Sequence, residues 1–162
     1  MVQGERKFST LSFGSEELDK IVKRLQSTED AKKRYEYVLW LAKKLPLLTE
    51  DLLSEDIKVK GCISQVFVMG ELVNGTIQWK GYSDALITKG LLALLIKGLN
   101  GLTPEEVCTI DQDFIKATGL KNSLTPSRAN GFLNILLRMK KQAKDLMIDE
   151  SSRASIESLA KK

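Results

Sequence analysis

The chain contains no histidine, only two cysteines and only three prolines among 162 residues. The missing imidazole excludes most. A cysteine or serine nucleophile usually depends on a neighbouring base, most often histidine, so hydrolytic chemistry of that kind has no base here. A zinc or haem site made by this chain alone is disfavoured for the same reason. Two cysteines, Cys62 and Cys108, cannot build a disulfide framework or a closed CxxC metal site. Aromatic residues make up 6% of the chain and its net charge is only +4. The lysines fall mostly at spacings of exposed helix positions, without the basic, aromatic face of a nucleic-acid binder. The longest apolar run, Leu91 to Ile96, is far too short to cross a bilayer, and no secretory signal is seen. These absences predict a soluble protein of a reducing compartment, with no nucleic-acid or membrane partner.

What remains is ordinary material for one domain: 43% hydrophobic residues and 28% charged residues, the two signs interspersed. Residues 1–14 carry no pattern and are expected to form a disordered lead-in. Residues 15–148 form the expected domain, and the polar, serine-rich residues 149–162 a tail or linker. Ser15 is placed to cap a helix reaching about Gln26, with Leu18, Ile21, Val22 and Leu25 on one face. Ser27-Thr28-Glu29-Asp30 reads as a capping box with Asp30 at the third helical position. The helix it opens runs to about Leu45, where Pro46 ends it. Ile63 to Leu72 is rich in β-formers, Asn74-Gly75 is a hairpin signal and Thr76 to Lys80 supplies the returning strand. Ser83 is the expected cap of the next helix, with Asp84 in its first turn. That helix, Ala85 to Lys97, is apolar almost all round, and Gly98 is expected to close it. Thr103-Pro104-Glu105-Glu106 is a further capping box. A short helix near Phe114 ends at Gly119, and Thr125-Pro126 opens a last helix carrying Phe132, Ile135, Leu136 and Met139 inward. The predicted fold class is α+β: an antiparallel hairpin or meander covered on one side by helices.

Cys62 is predicted to stand at the start of the first strand, just after a glycine-containing loop. Two readings are open. A free cysteine is most often a small buried hydrophobe. Against that, Gly61 permits close approach of another molecule, and Lys58 and Lys60 place positive charge nearby, which favours a thiolate. Cys108, inside a capped helix beside Val107 and Ile110, reads as core.

The segment Val59-Lys60-Gly61-Cys62-Ile63-Ser64-Gln65-Val66 resembles the VKGCxSQVW signature of SufE proteins, the sulfur-acceptor partners of cysteine desulfurases. Phe67 stands where tryptophan is common. Tyr35 to Pro46 is similar to that family's RYxYLIELxxxLP segment, Gly81 to Leu92 to G-x-SDAxIxKGLL, Thr103 to Val107 to TPEEV, and Leu124 to Gly131 to LTPSRxNG. The resemblance covers about residues 15 to 145, in order.

The resemblance implies a fold similar to the IscU scaffold and a sulfur-transfer role. Cys62 would take a sulfane sulfur from a PLP-dependent cysteine desulfurase, SufS-like or CsdA-like, and pass it to an iron–sulfur scaffold of the SufBCD kind. Such transfer resembles thiol–disulfide exchange and needs no histidine. PLP would belong to the partner, and no cofactor to this chain. A homodimer is an open expectation. The family's acceptor cysteine lies at a loop tip that can tuck over an apolar cavity, shielding a persulfide. Arg128 matches the family arginine near that loop, as a thiolate stabiliser or a loop anchor. Asp84 matches a family aspartate behind it, and reads equally as a helix-end charge. Ser64 and Gln65 are candidates for loop hydrogen bonds or recognition. Gly61, Lys58 and Lys60 complete the expected partner-binding segment. The alternatives are a purely regulatory desulfurase-binding module and an IscU-like cluster scaffold, which needs three or four ligands where this chain offers two thiols. The compartment implied is bacterial cytoplasm or plastid stroma, and a fusion to a larger chain, such as a quinolinate synthase, is compatible with the tail.

Overall fold

The computed structural model describes residues 12–160. Helix α1, Glu16–Gln26, is capped by Ser15, whose Oγ accepts from the Leu18 N–H at 3.2 Å and donates to the Gly98 carbonyl at 2.5 Å. It buries the four residues expected of it, Leu18, Ile21, Val22 and Leu25. Helix α2, Ala31–Ala42, is capped by Asp30 rather than Ser27: the Asp30 carboxylate accepts from the Lys32 N–H at 2.9 Å. The reason is local competition. The Ser27 and Thr28 hydroxyls both donate back to the Arg24 carbonyl and finish α1, leaving Asp30 to open α2. The helix ends at Ala42, three residues before the expected Leu45.

Strands β1, Val66–Val73, and β2, Thr76–Ser83, form one antiparallel hairpin, Val73 facing Thr76 and Val66 facing Ser83. Asn74 and Gly75 both take positive φ, 52° and 83°, as a two-residue primed turn requires. The first strand begins three residues later than expected, so Cys62 lies in the preceding loop. A side chain borders β1 where a third strand would. Gln142 accepts from the Gly70 N–H at 3.0 Å and donates to the Val68 carbonyl at 2.7 Å.

Helix α3, Leu86–Leu99, is buried on nearly every side, as expected. Its boundaries differ from those predicted. Ser83 is the last residue of β2 and accepts from the Ala85 N–H at 3.3 Å, Asp84 lies outside the helix, and Gly98 lies within it against Leu18. Helix α4, Pro104–Cys108, keeps the predicted capping box of Thr103 with Glu106. Helix α5, Phe114–Ala117, is followed by Gly119 in the left-handed region. Helix α6, Pro126–Ala160, buries Gly131, Phe132, Ile135, Leu136, Met139 and Ala143.

Two expectations at the chain ends change. Residues 149–160, read as a polar tail or linker, continue α6 as an exposed helix. They contain no proline or glycine, and Arg153, Ala154, Glu157, Leu159 and Ala160 are good helix formers. Of the expected lead-in, residues 1–11 lie outside the described residues. Phe13, however, is packed edge-on against Phe114 at 6.4 Å, and its carbonyl accepts from the Asp111 N–H. The class is α+β, a two-stranded antiparallel sheet packed with helices.

The α2–α3 crossing depends on Gly90, since a Cβ there would collide with the Val38 carbonyl oxygen. A backbone atom inside a packed helix has nowhere to go. Gly90→Ala is expected to lower stability by about 3 kcal/mol or more, at the upper end of overpacking costs, read as the shift in urea denaturation midpoint.

Candidate functional site

Residues 60–65 form a loop closed at its base by the Val59 N–H bonded to the Val66 carbonyl at 2.8 Å and by a bridge between Lys58 and Phe67. Gly61 takes φ +80°, where other residues are strained. Cys62 follows, half-buried, against the backbone of α6 at Gly131. Its Sγ lies 3.8 Å from the Gly131 carbonyl oxygen, with the thiol as donor. A Cβ added at Gly131 would stand 3.5 Å from the sulfur, so this helix presents main chain, not a side chain, to the thiol.

The loop is fixed from three elements. From α6, the Asn134 Nδ2 donates to the Gly61 carbonyl at 3.0 Å, and the Arg128 Nη1 donates to the Ser64 Oγ at 2.8 Å and the Thr88 Oγ1 at 2.5 Å. From α3, the buried Thr88 hydroxyl also reaches the Ser64 Oγ at 3.4 Å. From the turn after β2, the Asp84 carboxylate accepts from the Gln65 N–H at 2.9 Å, while the Asp84 N–H donates to the Gln65 carbonyl at 3.3 Å. Thr125 accepts from the Arg128 N–H at 3.3 Å and sets the first turn of α6.

The sequence-predicted residues therefore divide. Cys62, Ser64 and Gln65 share one loop, which Arg128 holds at Ser64 and Asp84 holds at Gln65. The hydrogen bonds of Arg128 run to Ser64 and Thr88, and Asp84 meets the Gln65 backbone instead of capping a helix. The two lysines stand apart. Lys58 Nζ is 3.8 Å from Glu55 Oε1, and Lys60 is exposed. The expectation that they favour a Cys62 thiolate is overturned: burial pushes the thiol's pKa above its ordinary value. Gln65 is exposed and contributes its backbone to the network.

Three residues were missed as site residues: Thr88, Gly131 and Asn134. Thr88 left a faint signal, a hydroxyl in an otherwise apolar run. Asn134 left none, being 73 residues from the carbonyl it binds. An apolar cleft of about 410 Å³, lined by Leu124, Pro126, Ala129 and Leu133 among others, opens beside another face of α6. No group of three or more potential metal-ligating side chains occurs among the described residues. No helix among them is long and apolar enough to cross a membrane.

A family model described as SufE, Fe-S metabolism associated domain, matches residues 19–143. The chain is 51% identical over 135 residues to an uncharacterized SufE-like protein of Synechocystis, covering 83% of this chain and 84% of that one. It is 40% identical over 146 residues to SufE-like protein 1, chloroplastic/mitochondrial, of Arabidopsis thaliana, covering 87% of this chain but only 39% of that longer protein. It is 36% identical over 122 residues to the cysteine desulfuration protein SufE of Plasmodium vivax, covering 73% of this chain and 48% of that protein. A solved solution structure of a hypothetical protein from Thermus thermophilus superposes with a TM-score of 0.72 at 25% identity, over 83% of this chain and 98% of that one.

The elevated thiol pKa has a measurable consequence. Alkylation follows the thiolate, so the reaction of Cys62 with iodoacetamide is expected to rise to a plateau with a midpoint above that of the urea-unfolded chain. The linkage runs the same way. A pKa raised on folding stabilises the protein below the unfolded value, and that contribution is lost as pH climbs through the folded value. Cys62→Ala is expected to flatten the alkaline fall in stability, followed by thermal melts between neutral and alkaline pH.

Proposed function

The chain belongs to the SufE family, and we propose that it acts in iron–sulfur metabolism as a sulfur acceptor, Cys62 taking a sulfane sulfur from the persulfide of a cysteine desulfurase. The observation that carries this reading is the setting of Cys62: a thiol on a short loop, tied by hydrogen bonds to α3 and α6, with no imidazole in the chain. Transfer of sulfane sulfur suits such a thiol. The Cys62 thiolate attacks the outer sulfur of the donor persulfide, a new S–S bond forms and the old one breaks. The donor cysteine departs as a thiolate, and no net oxidation or reduction occurs. The leaving group carries its own charge, so no general acid is needed. The PLP that makes the donor persulfide belongs to the desulfurase, and the loaded Cys62 passes its sulfur to a cluster-building scaffold.

Docking of the desulfurase at this loop is supported by Ile63, adjacent to the thiol and 76% exposed, and by Leu86 at the start of α3, 59% exposed. Large apolar side chains beside a reactive group are what a partner covers. The half-buried resting thiol supports the same reading. A persulfide is easily reduced or oxidised, and partial burial slows both.

Incubation with a SufS-type desulfurase and cysteine is expected to add one sulfur atom to the wild-type chain, seen by intact-protein mass spectrometry and removed by reductant. Cys62→Ser is expected to gain none and to lose most of any stimulation of the desulfurase. Full stimulation by Cys62→Ser would mean that the protein regulates the desulfurase by binding alone.

A further inference from the structure

The Cys62 loop is not held evenly. Downstream of the thiol, Ser64 is met by Arg128 and Thr88, and Gln65 exchanges two hydrogen bonds with Asp84. Upstream, Gly61 is held by one hydrogen bond, from the Asn134 amide to its carbonyl. The same glycine takes φ +80°, and a Cβ placed on it would lie 2.6 Å from the Asn134 Nδ2, so a side chain there would displace the amide. A weakly tied glycine on one side and a multiply anchored serine on the other make a flap with a defined hinge and a defined clasp.

We propose that Asn134 is a positioning residue that clasps the upstream end of the loop, and that release of its hydrogen bond to Gly61 lets Cys62 swing outward about the fixed Ser64–Gln65 end. This deepens the sulfur-acceptor reading by naming the contact that a docking partner must break, and it concerns only the thiol's exposure. The inward position places the sulfur against the Gly131 carbonyl, which accepts from the thiol but offers a thiolate no donor. Outward, the sulfur is solvated and ionises as an ordinary thiol. Asn134 is half-buried on α6 and outside the residues that helix buries in the core, so its replacement leaves the packing of Phe132, Ile135 and Leu136 intact.

The test is the rate at which iodoacetamide alkylates Cys62 in the isolated protein, followed across pH with Cys108 as the internal reference. Asn134→Ala is expected to raise the Cys62 rate at neutral pH about two- to tenfold, the range that one net hydrogen bond spans. The pH midpoint is expected to move down toward that of the unfolded chain, with the Cys108 rate unchanged and the urea midpoint lowered by no more than the loss of that one hydrogen bond. Asn134→Leu keeps the approximate size without a donor or a charge, and is expected to give a similar increase. A Cys62 rate and pH midpoint equal to wild type in either folded variant would overturn the proposal. So would an equal rise at Cys108, which would mark general loosening. No desulfurase enters this measurement, so its failure leaves the persulfide-transfer experiment standing, and failure of sulfur loading leaves the clasp standing.

Discussion

A helix apolar on every face is stable only if its neighbours cover it completely, and α3 imposes that demand on the whole molecule. Eleven of its residues, from Ile87 to Leu99, are buried, and each large aliphatic side chain removed from water contributes about 1.5–3 kcal/mol. Helix α1 reaches it through Leu18 at Gly98, α2 through Val38 at Gly90, and the hairpin through Gly81 beneath Leu92. Helix α6 closes a further side with Phe132, Ile135 and Leu136. Within this packing the Thr88 hydroxyl is the one polar side chain that α3 buries. It is satisfied by Arg128, which also holds Ser64. The core and the loop are thus joined by one hydrogen-bonded triad, and the position of the loop follows from the position of the central helix.

The electrostatics of Cys62 run opposite to those of a cysteine nucleophile that works alone. Such thiols are held as thiolates by adjacent positive charge. Here Lys58 stands beside Glu55, Lys60 points to solvent, and burial favours the protonated form. Under the sulfur-acceptor reading this is coherent: the thiol is quiet until a partner displaces the loop, and the hydrogen bonds that quiet it are few enough for a docking surface to break. Arg128 then serves the site through Ser64, as an anchor of the loop's fixed end.

What could be read from the chain follows how locally each feature is encoded. The faces of α1, the primed turn at Asn74-Gly75, the capping box of α4 and the all-round burial of α3 depend on residues a few positions apart, and each appears where the pattern placed it. The boundaries that moved were decided by competition between nearby polar groups. Ser27 and Thr28 turned back to finish α1, and Ser83 stayed in the sheet because Asp84 was engaged by Gln65. In the site, Cys62, Gly61, Ser64 and Gln65 are contiguous and were visible together, while Arg128 and Asp84 stood out through the family motif. Asn134 was invisible because its role is fixed by how α6 lies across the loop. The charge argument for a thiolate failed because spacing along a chain says nothing of where a flexible lysine points.

Helix α6 runs 35 residues, about 52 Å at 1.5 Å per residue, yet its last fully buried side chain is Ala143. Residues 149–160 are exposed throughout, so their helical state rests chiefly on backbone hydrogen bonds and intrinsic propensity. Isolated helical segments of that length are marginal in water. Along one continuous rod the free energy of opening therefore falls from that of the whole fold at Phe132 to nearly nothing at Ala160. Amide protons along α6 would exchange in a graded order, and a protease would enter the protein from this end while the half that grips Cys62 stayed closed.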